Sequence, residues 1–595
     1  MNRLVNATIP ILTLILLLIT ACGQKPLDKE LFLTYYEKND YNRTPSYAET
    51  VAYCKLLDQH SPLIHYTTIG RSPQGREIPL LIVDKDGLTS PEKIRAKGRV
   101  IVLAEACIHA GEPDGKDAGL MFIRDLALYG QHEGLLDDVS FLFIPIMNVD
   151  GHEDFGEHYR INQNGPVEVG SRFTAQRLNM NRDFIKADAP ETRALLQLYS
   201  QWMPELFIDI HVTNGADFQY VSTYGLEHCE FLAPNMLDWS RNTFETELKE
   251  RMQAAGYPIF PYYYSTEDVP GYGTAVLPDV FAPQYSNGYA SANNRIGLLV
   301  ENHIYKPYKE RVNASYLYLK HAMAIAGEYK EIFREEVRKA DDYVASAAFR
   351  KDSLPLEFAH DRKQAEKTDF LAWKDTTVRS EMSGGLWTYY DYDSPVTYDY
   401  WLFTSFRGEN KIRLPEAYIL PREHQEVIAL LDVHGIQYQR LERDTLIMVE
   451  TYHFTHSEWS KSPYEGRITL TTDYIPVQET ISYHQGDVLI PTAQPKVKIV
   501  AHLLEPKSPT SLVYWGFFNS YIKAPNEFWI SLKYMEVKGR EMMAKDPQLQ
   551  KEFEEKKRND PAFANDPVAI LHFFMQKVRE TVEVGVNRYP VGRLL

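Results

Sequence analysis

Cysteine is scarce in this chain, with four in 595 residues. Cys22 ends an apolar leader, which leaves Cys54, Cys107 and Cys229 and at most one disulfide, so a disulfide-built scaffold is excluded. Positive charge is also short: 64 Lys and Arg stand against 81 Asp and Glu, a formal net charge of −17. Such a surface repels phosphate backbones, and nucleic acid is set aside as a partner. The apolar run from Ile9 to Ile19 falls short of the roughly 20 residues of a spanning helix. No internal repeat and no low-complexity tract is visible. Two hydrolase signatures are missing as well. His132-Glu133 and His152-Glu153 lack the second histidine of H-E-x-x-H, the run from His109 to Pro113 does not complete H-x-x-E-H, and Gln74 breaks G-x-S-x-G after Gly70-Arg71-Ser72-Pro73.

What is present is a globular composition, 44% apolar and 24% charged, long enough for two to four domains. Met1 to Arg3 gives a short positive start, residues 9–19 have signal-peptide length, and the run ends in Ile19-Thr20-Ala21-Cys22. That string resembles the lipobox of bacterial lipoproteins. The resemblance implies a signal peptide over residues 1–22, a lipid on Cys22, and an extracytoplasmic protein that meets a bacterial membrane, at the periplasm or the cell surface, through its anchor alone.

After a polar leader (23–46), helical and strand patterns alternate over residues 47–344, the order of an α/β domain. Val100–Ala106, residues 139–146 and residues 206–210 are continuous apolar runs suited to buried strands. Residues 118–128 and 189–202 carry helical spacing, and a charged helix is expected over 310–344. A polar stretch within 345–374 reads as a linker. Residues 375–595 read as a smaller β-rich domain, with strands expected at 385–392, 399–406, 467–472 and 496–504, a helix at 422–434 and a helical tail from about residue 528.

The chemistry gathers at strand ends. His109-Ala110-Gly111-Glu112 follows an apolar strand and precedes a helix, where open α/β sheets place their sites. An imidazole and a carboxylate three residues apart can meet one Zn²⁺ if the turn is tight, and Gly111 is expected to permit that turn. Asp209-Ile210-His211 offers a third ligand at the end of a second strand. Gly297-Leu298-Leu299-Val300-Glu301 ends a third strand with a carboxylate suited to a general base.

The ordered set H-x-x-E, Asn148-Val149-Asp150-Gly151, Asn181-Arg182, His211 and Glu301 resembles the zinc metallocarboxypeptidase family, as does the earlier Gly70-Arg71-Ser72-Pro73-Gln74-Gly75-Arg76. The resemblance implies a mixed central sheet flanked by helices. It implies one zinc on His109, Glu112 and His211, with Glu301 as base. It also implies that Asn181 and Arg182 clamp the carboxylate of a peptide substrate and that Arg160 faces the developing oxyanion. Two positions depart from the family pattern. Asn179 stands where an Asp commonly orients the first histidine, and Tyr285 and Tyr289 compete for the family's mobile tyrosine. An amidase acting on peptidoglycan stem peptides or acyl-amino acids, and a non-catalytic surface binder, are the alternative functions. Nothing in the sequence indicates the oligomeric state.

Overall fold

A computed structural model of the chain describes residues 29–132, 134–265, 275–278, 281–361, 363, 365–522, 531–582 and 585–595. The expected signal peptide and Cys22 lie outside the described residues. Ten strands lead up to the site region: β1 (Ile64–Arg71), β2 (Glu77–Val83), β3 (Val100–Ala106), β4 (Val139–Ile144), β5 (Leu206–Thr213), β6 (Ser222–Gly225), β7 (Ile259–Pro261), β8 (Tyr263–Ser265), β9 (Ala275–Pro278) and β10 (Ile296–His303). Eight of them form one sheet in the order β1-β2-β4-β3-β5-β10-β6-β7.

The four central strands, β4, β3, β5 and β10, run parallel, and β2 and β6 flank them antiparallel. All seven residues of β3 are buried, as expected of a parallel strand covered on both faces. Its apolar run has no polar alternation because neither face meets water. Helices Asp114–Ala127, Pro190–Trp202 and Tyr308–Glu328 supply the cover. Asp114, in the first turn of the helix after β3, accepts from buried Arg311 Nε at 2.9 Å and from Asn302 Nδ2 at 3.1 Å. The loop after β3 is thereby tied to the strand that bears Glu301.

The C-terminal region holds a six-stranded sheet ordered Gln439–Arg440, Val488–Pro491, Ala417–Leu420, Gly592–Leu594, Thr445–Trp459, Leu470–Tyr483. A long hairpin, Glu366–Arg379 with Leu386–Leu402, pairs with β9. This hairpin takes in residues expected to be a linker; much of it is exposed, which is why its composition is polar. Residues 496–504, expected as a strand, form the helix Val497–Leu504, buried at every position. A short run apolar on all sides has no period with which to tell strand from helix. The expected helix over 310–344 is two, Tyr308–Glu328 and Lys330–Val344. Cys54, Cys107 and Cys229 are free and buried. Among the described residues no helix is long and apolar enough to cross a membrane.

Candidate active site

The parallel register sets Glu301 on β10 directly beside His211 on β5, and Ala106, the last residue of β3, beside Ile210. The three C-terminal strand ends therefore open at one level. Cys107 turns the chain out of β3 with φ of 56°, a left-handed conformation that non-glycine residues seldom adopt. The amide of Asn148 bonds the Cys107 carbonyl at 3.0 Å, which joins the metal loop to the loop after β4. Gly111 serves differently from the expectation. Its backbone is not left-handed; instead a Cβ there would meet Arg160 Cδ at 2.7 Å and the Gly170 carbonyl at 2.9 Å. Glycine is needed for close approach.

His109 Nδ1, His211 Nδ1 and Glu112 Oε2 converge. The two nitrogens are 3.1 Å apart, and Oε2 lies 3.3 Å from the first and 3.0 Å from the second. The far nitrogens are committed elsewhere: His109 Nε2 meets Asn179 Oδ1 at 3.0 Å and His211 Nε2 meets Asp209 Oδ2 at 2.6 Å. Both partners are acceptors, so each Nε2 carries a hydrogen and each ring directs its Nδ1 inward, where it offers a lone pair once the ring is neutral. Two ring nitrogens and a carboxylate oxygen that converge in this way are the donor set of a metal ion, and imidazole with carboxylate is a zinc set. These three residues are the candidate metal group among the described residues.

Electrostatics treats the two rings differently, and in the absence of metal the neighbouring carboxylates hold the His211 pKa well above its ordinary value against burial. Burial, with Arg172 and His211 nearby, pushes the His109 pKa down to about 4, so its ring is neutral at pH 7. Glu112 is held well below the usual carboxylate range: burial opposes this, but His109, Arg160 and His211 outweigh it. Burial foremost, then the Glu112 and Asp209 carboxylates, lifts Glu301 to about 8 against the pull of His211. A bound dication acts in the opposite direction on that group. Beneath the site Glu105 pairs in register with Asp209; burial and that neighbour raise its carboxyl far above the ordinary value.

Arg160 and Asn181 have partners other than those expected. Arg160 donates through Nε to Gln163 at 2.6 Å and through its two terminal nitrogens to Glu112 Oε1 at 2.7 Å and the Val212 carbonyl at 2.9 Å. Its fork is spent on aiming Glu112. Asn181 Oδ1 accepts the Ser286 amide at 3.0 Å, and its Nδ2 packs 3.2 Å from His211 Nε2, whose hydrogen goes to Asp209. Arg172 had no signal in the sequence, yet its guanidinium comes within 3.2 Å of His109 Nδ1 with 39% of the side chain exposed. Asp209 did have a signal: residues two apart on a strand share a face. Ser72 Oγ, at 2.7 Å, and Arg76, at 2.7 Å, both hold Asp150, so the early glycine-serine motif and N-x-D-G are two halves of one brace.

Arg172, Arg182, Tyr285, Phe281, Leu299 and Glu301 are among the residues lining a cavity of about 290 Å³ over the metal group. Arg182 lies 4.5 Å from the Tyr285 ring centre. Tyr289 is buried and bonds His434 Nδ1 at 2.9 Å. Of the two tyrosines, Tyr285 faces the cavity.

A family profile described as zinc carboxypeptidase matches residues 50–429. The chain belongs to the zinc carboxypeptidase family. It is a zinc metallopeptidase of the carboxypeptidase type, and the His-Glu-His group suits one ion. Carboxypeptidase 2 of Trichophyton tonsurans is 21% identical over 491 residues, covering 78% of this chain and 82% of the fungal protein. Carboxypeptidase 2 of Trichophyton rubrum is 22% identical over 484 residues, with the same coverage of 78% and 82%. Among solved structures, the metallo-carboxypeptidase from Burkholderia cenocepacia is 16% identical with a TM-score of 0.35, covering 48% of this chain and 70% of that one. Carboxypeptidase A from Helicoverpa armigera is 15% identical with a TM-score of 0.37, covering 48% and 74%.

Proposed function

We propose that the enzyme removes residues from the free C-terminus of peptides, with His109, Glu112 and His211 holding zinc and Glu301 as general base. The observation that carries this is the convergence of two ring nitrogens and a carboxylate oxygen at 3.0 to 3.3 Å under a cavity lined by Glu301 and by Arg182. Zinc, when bound there, supplies Lewis acidity toward water and toward a carbonyl. Glu301 takes the proton of the attacking water and delivers it to the leaving amine, so that a C–O bond forms as the C–N bond breaks. Arg172, whose guanidinium reaches the metal group, donates to the carbonyl oxygen as negative charge gathers on it. Arg182, set against Tyr285, offers the peptide carboxylate a charge-assisted bond. Arg160, Asn179 and Asp209 act through the ligands and are positioning residues.

Among the described residues, Phe281 and Leu299 give the cavity an apolar side, and the acids in its lining are Glu112 and Glu301. The deciding experiment compares hydrolysis of a peptide with a free C-terminus and its C-terminal amide by zinc-loaded enzyme. Strong preference for the free acid is expected. Equal rates would remove the carboxylate clamp and favour an amidase, and absence of bound zinc together with absence of hydrolysis would favour a non-catalytic binder.

We further propose a lipid anchor at Cys22 outside the cytoplasm, on the strength of Ile19-Thr20-Ala21-Cys22. Mass spectrometry of the membrane-extracted protein should find diacylglyceryl mass on Cys22 and lose it in Cys22→Ala.

A further inference from the structure

One turn of the C-terminal region reaches the candidate site. Tyr464 and Arg467 bond each other's backbone at 2.8 and 3.0 Å, and Gly466 between them takes φ of 79°. The turn lies along the segment that bears Asn179 and Arg182. Glu465 Oε2 accepts the Asn179 amide at 3.3 Å, and a Cβ on Gly466 would stand 3.0 Å from Leu178. Arg467 grips Asp188 with two bonds, 2.8 and 2.6 Å.

The same turn is braced from behind. The Tyr464 ring stacks on buried Trp515, with centroids 5.8 Å apart and planes at 11°, and the Arg467 guanidinium sits 3.9 Å from the Phe517 ring centre. Lys186, bonded to Asp183 at 2.6 Å, lies 5.3 Å from the Trp515 ring centre. The aromatic string from Tyr514 to Phe518, which suggests no chemistry as sequence, is thus the floor under this turn.

At the tip Tyr464 lies near enough to Arg182 and Tyr285 for both to act electrostatically on its hydroxyl. Arg182 and Tyr285 both line the cavity, which sets Tyr464, 40% exposed, at the cavity's edge. A guanidinium can only donate, so a phenol beside it keeps its own hydrogen for an acceptor that both can reach.

We propose that the turn from Tyr464 to Arg467 is the outer wall of the substrate site, and that Tyr464 donates its hydroxyl hydrogen to the same peptide carboxylate that Arg182 holds. The proposal rests on the reading of Arg182 as the carboxylate clamp. A peptide continuing beyond its bound last residue would have to displace the turn, so the C-terminal region restricts cleavage to chain ends.

The test uses the full chain, loaded with zinc, and one peptide with a free C-terminus beside its amide. Tyr464→Phe is expected to raise KM for the free acid about five- to tenfold with kcat nearly unchanged, and to leave the amide as it was. Arg182→Gln should raise KM for the free acid further. Tyr464→Ala, which opens the wall, should narrow the preference for the free acid over the amide. If Arg182→Gln loses discrimination while both Tyr464 variants behave as wild type, the wall proposal is overturned and the clamp reading stands. If Arg182→Gln leaves discrimination intact, both fall. A Tyr464→Phe protein with lower kcat and lower zinc content but unchanged KM would make Tyr464 a brace, and would overturn the proposal too.

Discussion

His211 and Glu301 sit within adjacent strands, whereas His109 and Glu112 sit on the loop that follows β3, and the two halves of the site are steadied by different chemistry. On the strand half the support is anionic: Asp209 lies 2.6 Å from His211. On the loop half it is neutral or cationic: Asn179 holds His109, and Arg160 and Arg172 both face Glu112. A strand fixes side-chain direction through its ladder, so one charged partner suffices to orient the ring. A loop must be held from several directions, and it is; Gly111 makes room for Arg160, and Asp114 is tied to Asn302 and Arg311.

The largest effect should separate chemistry from metal holding on the strand half. Glu301→Gln is expected to lower kcat by about a hundredfold to ten-thousandfold while zinc content stays at one ion per chain. Zinc loss in that variant would move Glu301 into the metal group and erase its assignment as base. On the loop half the two arginines should part company. Arg172→Ala should cost about a hundredfold to a thousandfold in kcat with zinc retained. Arg160→Ala should weaken zinc, because Glu112 loses the partner that aims it. The reverse pattern, measured by kinetics and metal analysis together, would return the oxyanion role to Arg160.

The comparison also explains what could be read from the sequence. Strand-borne residues were legible: β3 follows its apolar run from Val100 to Ala106, and His211 and Glu301 each follow an apolar run, two residues short of the ends of β5 and β10. In a parallel sheet the ends of neighbouring strands converge by construction, so finding the strands locates the residues. The loop after β3 was legible only because His109 and Glu112 are three apart. Arg160 and Arg172 come from a long irregular segment in which no period says which guanidinium turns inward, and the one quoted on resemblance proves to have all its nitrogens occupied. The contact of Tyr464 with Arg182 spans 282 positions of chain (464 less 182), and only tertiary structure could disclose it. Helix Val497–Leu504 was misread for a separate reason, its uniform apolarity.

A direct test of charged against neutral support lies in the two ring partners. Asp209→Asn is expected to weaken zinc about ten- to a hundredfold, and Asn179→Ala toward the lower end of that range. Asn179→Asp should tighten zinc, since a carboxylate adds negative charge where an amide adds none. Competition with a fluorescent chelator reads all three. Equal losses in Asp209→Asn and Asn179→Ala would mean that orientation, not charge, is what both partners provide.

The mildest lever is pH, and it acts on the two rings in opposite senses. In the metal-free protein burial works against a charged His211, but Asp209, Glu112 and Glu301 overcome it and hold its pKa well above the ordinary value, while His109 is pushed down to about 4. At pH 7 the metal-free site therefore keeps a proton on the strand half and none on the loop half. Zinc must displace that proton, so apparent affinity should rise about tenfold per pH unit until pH passes the raised value of His211, and level off above it. The linked stability has the same sign: a raised folded pKa stabilises the metal-free protein below the ordinary histidine value, and that contribution disappears as pH climbs through the raised one. The melting temperatures of metal-free and zinc-loaded protein should accordingly draw apart as pH rises from 6. Calorimetric titration in two buffers of different ionisation heat counts the protons released, and a count near zero at pH 7 would show that both rings are already bare and that the strand half has no anionic advantage.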